Sequence, residues 1–359
     1  MKILYILSSY NKFGGTPKKT LDLLNEFGNN ASLYVYSKTN IEFKEEFINS
    51  DANIYEGDYG SNYFKHLNRL IKIIDNDKIE IVQTQFSMGE TLAFLIKLFR
   101  PKIKVVCAFV GPFKPTIIKS KLISFFYRKF DVFVYISEYV KSSKENQFSI
   151  LKSKQSIIIP NGSEKRIDTG EPIEKMSKFS LLDIAGLVDW KNVKVLLDAM
   201  NILVNKKHLE NIFLYVAGDG PEKQNLENLI IEYNLKNKVI LLGYQKNIGR
   251  LLDTCDIFVH PAYAEGFGIV IPEAMHASKP IIVSNAGALP ELIEHEKTGL
   301  IVDPFKPQEW ADAIERLIND ENFATKLALS AKAVAKTKYT KEMFCDNYLK
   351  LYNSILKHE

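Results

Sequence analysis

The hydrophobic and polar positions fall into two successive series of the same kind. In each, short apolar runs that suit buried strands alternate with longer stretches whose apolar residues recur at helical spacing. In the first series, runs at 2–8, 31–36, 79–83, 104–110, 132–136 and 156–159 predict strands. Stretches at 17–27, 62–75, 88–99, 117–130 and 137–148 predict helices. In the second, strands are predicted at 179–187, 212–217, 239–242, 257–260 and 280–283. Helices are predicted at 192–205, 222–233, 248–254, from 273, at 289–293 and 307–319, and over most of 322–357. Strictly alternating strands and helices imply α/β domains, each a parallel sheet covered on both faces. Pro160-Asn161-Gly162 is a turn signal, and the polar stretch 163–178 behind it is the linker candidate. The division that follows is 1–165, 166–340, and a final helix at 341–359 expected to pack back on the first domain.

Length and composition agree with two globular domains: 359 residues, 46% hydrophobic and 25% charged. No apolar run reaches the roughly 18 residues a membrane helix needs, and the start lacks a signal-peptide cleavage pattern. Cys107, Cys255 and Cys345 are odd in number and far apart, so neither a disulfide framework nor a zinc set is expected. A cytoplasmic setting follows as an expectation, with the inner face of the membrane as a variant. Charge is uneven. Residues 1–165 hold 24 basic and 16 acidic residues, a balance of +8, and the remainder stands at −4. A basic first half suits an anionic partner or a solvated lysine-rich surface. Nucleic acid is set aside, since no nucleic-acid-binding motif is present. The stretch 117–130 mixes aromatic, aliphatic and basic residues and suits either a packed helix or peripheral contact with a membrane.

The candidate chemistry is densest at 256–303. There a predicted strand ends at His260-Pro261, and a loop holds Glu265-Gly266-Phe267-Gly268 before a helix beginning near Pro272. Glu273 follows Glu265 by eight residues. A glycine-rich turn ahead of a helix lets backbone N–H groups approach a phosphate. A carboxylate at either end of that loop can accept hydrogen bonds from hydroxyls on both sides of the phosphate. A nucleotide sugar has that layout.

With Gly-Phe-Gly inside the Glu-x7-Glu spacing, the chain resembles glycosyltransferase family 4. That resemblance implies the GT-B fold, two Rossmann-like domains facing each other across a cleft. It also implies sugar transfer with retention of configuration from a nucleotide-diphosphate donor, UDP favoured over GDP, to an acceptor hydroxyl in cell-surface polysaccharide assembly. On the resemblance, Glu265 contacts donor-sugar hydroxyls and Glu273 the ribose. The backbone of Gly266, Phe267, Gly268 and Ile269 lines the sugar and diphosphate. Lys191, in the stretch Ile184–Val193, neutralises the leaving diphosphate, and Glu265 and Lys191 are the catalytic candidates. Gly14 and Gly15 match a Gly-Gly loop near the diphosphate. Tyr244 falls where the family meets the base, with packing as its other reading. Two positions depart from the family: Gly186 stands where an arginine is usual, and Val110 where a histidine is. Lys18 or Lys19 could replace the missing charge or lie on a solvated helix face, and His260 reads as a packing or surface residue. Cofactors and metals are expected to be absent, and the partners are a nucleotide-sugar donor and a saccharide or lipid-linked saccharide acceptor. The competing reading is a non-catalytic nucleotide-sugar-binding or partner subunit.

Overall fold

In the computed structural model, residues 1–10, 15–37, 39, 41, 44–85, 87–111, 117–166 and 179–357 are described. Among them, thirteen strands form two sheets in which every pairing is parallel. The strands of the first are β1 (Ile3–Leu7), β2 (Ala31–Val35), β3 (Asn53–Glu56), β4 (Ile81–Thr84), β5 (Lys104–Phe109), β6 (Val132–Tyr135) and β7 (Ser156–Ile158), in the order β3-β2-β1-β4-β5-β6-β7. The second holds β8 (Phe179–Ile184), β9 (Ile212–Ala217), β10 (Val239–Gly243), β11 (Ile257–His260), β12 (Ile281–Ser284) and β13 (Leu300–Val302), in the order β10-β9-β8-β11-β12-β13. Each order reverses once, at β1/β4 and at β8/β11. Open α/β sheets bind ligands at the carboxyl ends of the strands beside such a reversal.

The chain divides into one unit of Met1–Gly162 with Lys341–Glu359 and a second of Ser163–Thr340. Strands β1 and β2 are buried along their whole length because their runs are apolar on both faces. The helix Lys341–Lys357 completes the first unit's core with Phe344, Tyr348, Leu351 and Tyr352. The Tyr352 hydroxyl donates to Gln83 Oε1 at 2.6 Å and lies 3.1 Å from that of Tyr5.

The tail read as mostly helical over 322–357 forms two helices, Glu321–Lys338 and Lys341–Lys357. They break at Tyr339-Thr340, where the Ser163 N–H donates to the Tyr339 carbonyl at 2.7 Å. One helix serves the second unit's core and the other the first's. The stretch proposed as a linker is not free at its start. Ser163 is tied to Tyr339, and Lys165 pairs with Asp253 at 3.0 Å. Residues 167–178 lie outside the described residues. Strands β3 and β13 and a short helix at Lys44–Ile48 escape the sequence pattern, β3 because it is a half-exposed edge strand without an apolar run.

Candidate active site

The site is built in the second unit on the carboxyl ends of β8 and β11, which lie side by side. Asp183, the last residue but one of β8, and His260, which closes β11, are both fully buried. Their side chains meet, His260 Nδ1 lying 3.0 Å from Asp183 Oδ1.

Beyond β8 the chain makes a tight turn, Asp189–Lys191, which is sewn to the loop after β11. The Tyr263 N–H donates to the Trp190 carbonyl at 3.0 Å, and the Tyr263 hydroxyl donates to Asp189. Asn192 follows in the left-handed conformation, with φ of 54°. Its side-chain amide donates to the carbonyls of Pro304 at 2.7 Å and Pro261 at 3.3 Å. An asparagine tolerates that backbone better than most residues. Lys191 is thereby aimed at the loop carrying Glu265, and its ammonium donates to Glu265 Oε2. The Gly218–Gly220 turn braces the other side of the β8 loop, with the Leu187 N–H donating to the Asp219 carbonyl at 2.9 Å. Ala217–Pro221 is thus structural support.

The Glu265 carboxylate is the centre of the arrangement. Oε1 accepts from the Gly266 N–H at 3.1 Å. Oε2 takes Lys191 and lies 3.5 Å from His260 Nε2. Burial opposes the charge, but His260 and Lys191 outweigh it and hold the carboxyl well below the usual carboxylate range. Burial likewise opposes a charged His260, and its contacts with Asp183 and Glu265 overcome both that and the repulsion from Lys191, so the imidazole pKa is raised. The backbone of Glu265 is fixed from behind by Gly287, which has φ of 60°. A Cβ there would stand 2.6 Å from the Glu265 carbonyl oxygen. The Ala288 N–H donates to that same carbonyl at 2.9 Å.

Glu273 sits on the helix Val270–His276, which starts before the expected Pro272, and is 1% exposed. It accepts from Arg166 Nε at 2.7 Å. Gly249 lets this arginine approach, for a Cβ at 249 would lie 2.6 Å from the Arg166 carbonyl oxygen. The Phe267 ring is buried beside Tyr339, and Gly268 and Ile269 lead into the helix. Tyr244 follows the edge strand β10 and is exposed, so it does not join the Glu265 cluster. The Gly186 position is open: a Cβ would find only the Asp219 carbonyl oxygen, at 3.9 Å.

In the first unit, Gly15 is exposed at the start of the helix Gly15–Phe27, and Gly14 lies outside the described residues. Lys19 is neither a spare cation nor a solvated lysine. It is buried, paired with Asp22, and donates to the Gly162 carbonyl at 2.6 Å. Val110 is half-buried after β5.

Sequence reasoning missed Asp183 and Arg166, and gave His260 a packing role. The signal for the first was an aspartate inside the apolar run Phe179–Ile184, a place where an acid needs a buried partner. His260, closing the neighbouring strand, is that partner.

Residues 165–334 match the family described as glycosyl transferases group 1. The chain is 26% identical over 230 residues to the uncharacterized glycosyltransferase YqgM of Bacillus subtilis, covering 64% of this chain and 62% of YqgM. It is 30% identical over 220 residues to the N,N'-diacetylbacillosaminyl-diphospho-undecaprenol alpha-1,3-N-acetylgalactosaminyltransferase of Campylobacter jejuni, covering 60% and 56%. The chain spans about half the length of the curated relatives it matches. Among solved structures it superposes on Anabaena HepE in complex with UDP, with a TM-score of 0.84 and 19% identity over 99% of this chain and all of that one. A second HepE structure, in complex with UDP-glucose, gives 0.83. The fold is therefore that of the GT-B glycosyltransferases.

Proposed function

We propose that the chain is a retaining glycosyltransferase of family 4, a hexosyltransferase that takes its sugar from a nucleoside-diphosphate donor held in the second unit. The observation that carries this reading is the Lys191–Glu265 pair at the β8/β11 reversal, with Glu273 one short loop away. Lys191 offsets the negative charge that the leaving diphosphate gathers, and a fixed cation there lowers the barrier. Glu265, ionised at any working pH, accepts from hydroxyls of the donor sugar. Glu273, kept in place by Arg166, accepts from the ribose. On this reading the departing phosphate oxygen takes the acceptor's proton, so neither a protein nucleophile nor a metal ion is needed.

The family match over 165–334 supports the donor site, and the UDP and UDP-glucose complexes of HepE favour a UDP-sugar. The Campylobacter relative's name points to a lipid-linked saccharide as the acceptor class and to cell-surface glycan assembly as the setting. No helix among the described residues is long and apolar enough to cross a membrane. Leu98, Phe99, Leu122 and Phe125 are exposed on the basic first unit, which supports peripheral attachment at the cytoplasmic face of a membrane.

Thermal-shift and calorimetric binding across UDP-, GDP- and ADP-sugars tests the reading. One nucleotide should stabilise the protein selectively, and EDTA should change neither binding nor slow donor hydrolysis. Binding without diphosphate release, even when acceptors are supplied, would turn the reading toward a non-catalytic sugar-nucleotide-binding subunit. No binding by any donor would refute the donor site.

A further inference from the structure

His260 and Asp183 have no part in the reading above, yet they occupy its centre. Both are fully buried, and His260 Nε2 makes no hydrogen bond although it points at Glu265 Oε2 from 3.5 Å. That same oxygen is held by Lys191. Two basic groups therefore face one carboxylate oxygen, Lys191 in direct hydrogen-bond contact and His260 across the longer 3.5 Å.

Lys191 has a second claimant. An anionic diphosphate entering the site competes with Glu265 for its ammonium. Stripping a buried carboxylate of one of its two counter-charges is costly unless the other closes on it. We propose that donor binding exchanges the partners of Glu265: Lys191 turns to the diphosphate, and His260, anchored by Asp183, closes on the carboxylate oxygen that Lys191 leaves. His260 and Asp183 are then positioning residues. They keep Glu265 charged and oriented toward the sugar during the step in which Lys191 serves the leaving group. The inference rests on the proposed donor site.

The exchange has a protonic signature. The charged groups acting on His260 are Asp183 from β8, Glu265 from the loop after its own strand, and Lys191 from the turn after β8. Asp183 and Glu265 favour the imidazolium, and Lys191 disfavours it. Drawing Lys191 away and bringing in a diphosphate both raise the affinity of His260 for a proton. Binding should therefore take up protons in the pH window between the free and donor-bound pKa values of His260, and none well below or well above that window.

The experiment is calorimetry with intact UDP-glucose, GDP-glucose and ADP-glucose, whose diphosphates do not titrate near neutrality. It is run in phosphate and in Tris between pH 6 and 9 on the wild type, Asp183→Asn, His260→Gln and Lys191→Ala. The wild type should show a binding enthalpy that depends on the buffer in the alkaline part of the range, reporting uptake. Asp183→Asn should move the onset of uptake to lower pH. His260→Gln should abolish uptake and weaken donor binding about tenfold. Lys191→Ala should reduce uptake to the part the incoming diphosphate causes by itself, because His260 in that variant already faces an unshared carboxylate. Melting curves on each variant confirm that it folds, and the isosteric Asp183→Asn keeps the test open should His260→Gln not fold. Donor binding without uptake in the wild type, or uptake that survives His260→Gln, overturns the exchange and leaves the donor site standing. Absence of binding by all three donors removes the donor site and the exchange with it.

Discussion

At the scale of single residues, the proposed chemistry depends on where charge is placed. Gly186 stands where glycosyltransferase family 4, which the sequence resembles, usually has an arginine, and the structure leaves room there. Gly186→Arg should therefore be accepted without loss of fold and should raise donor hydrolysis about tenfold by adding a second cation to the leaving group. A rate that falls, with an unchanged melting temperature, would mean the diphosphate does not pass this position. Arg166 makes the opposite prediction. Its removal leaves Glu273 buried without that guanidinium, so Arg166→Ala should cost about 2 kcal/mol of stability by denaturant unfolding and weaken nucleotide binding. Glu265, Glu273 and Lys191 were legible in the sequence because motif spacing carries them. Asp183, His260 and Arg166 were not, because their partners lie 77, 77 and 107 residues away and only the sheet order and the chain's return bring them together.

At the scale of elements, the strands and their alternation were readable because doubly covered parallel strands must be apolar throughout. What the pattern hid were elements without such a run, β3 and β13. The loops around Glu265 depend on two backbone positions. Asn192→Ala should cost about 2 kcal/mol, losing two side-chain hydrogen bonds and a residue suited to the left-handed turn. It should also lower donor turnover more than it lowers the melting temperature would suggest, since Lys191 is the next residue. Gly287→Ala places a methyl against the Glu265 backbone at a positive φ and should be worse, about 3 kcal/mol. Equal stability in that variant would show that the Glu265 loop is not held from behind.

At the scale of the molecule, the last helix belongs to the first unit while the proposed donor site belongs to the second. Tyr352→Phe removes buried hydrogen bonds to Gln83 and Tyr5 and should lower stability by about 1–2 kcal/mol, with nucleotide affinity unchanged. The same separation explains why candidate donor residues were easier to read than candidate acceptor residues. The donor motif is short and local, whereas acceptor recognition is expected in first-unit loops that vary with the acceptor. The central claim is that the Lys191–Glu265 pair of the second unit handles a nucleotide-sugar donor. It is tested most directly by following nucleoside diphosphate release from the donor the protein binds, in the wild type, Glu265→Gln and Lys191→Ala. Slow release by the wild type that falls at least tenfold in both variants, with folded proteins throughout, is the predicted result. Release at the wild-type rate from either variant would contradict the account.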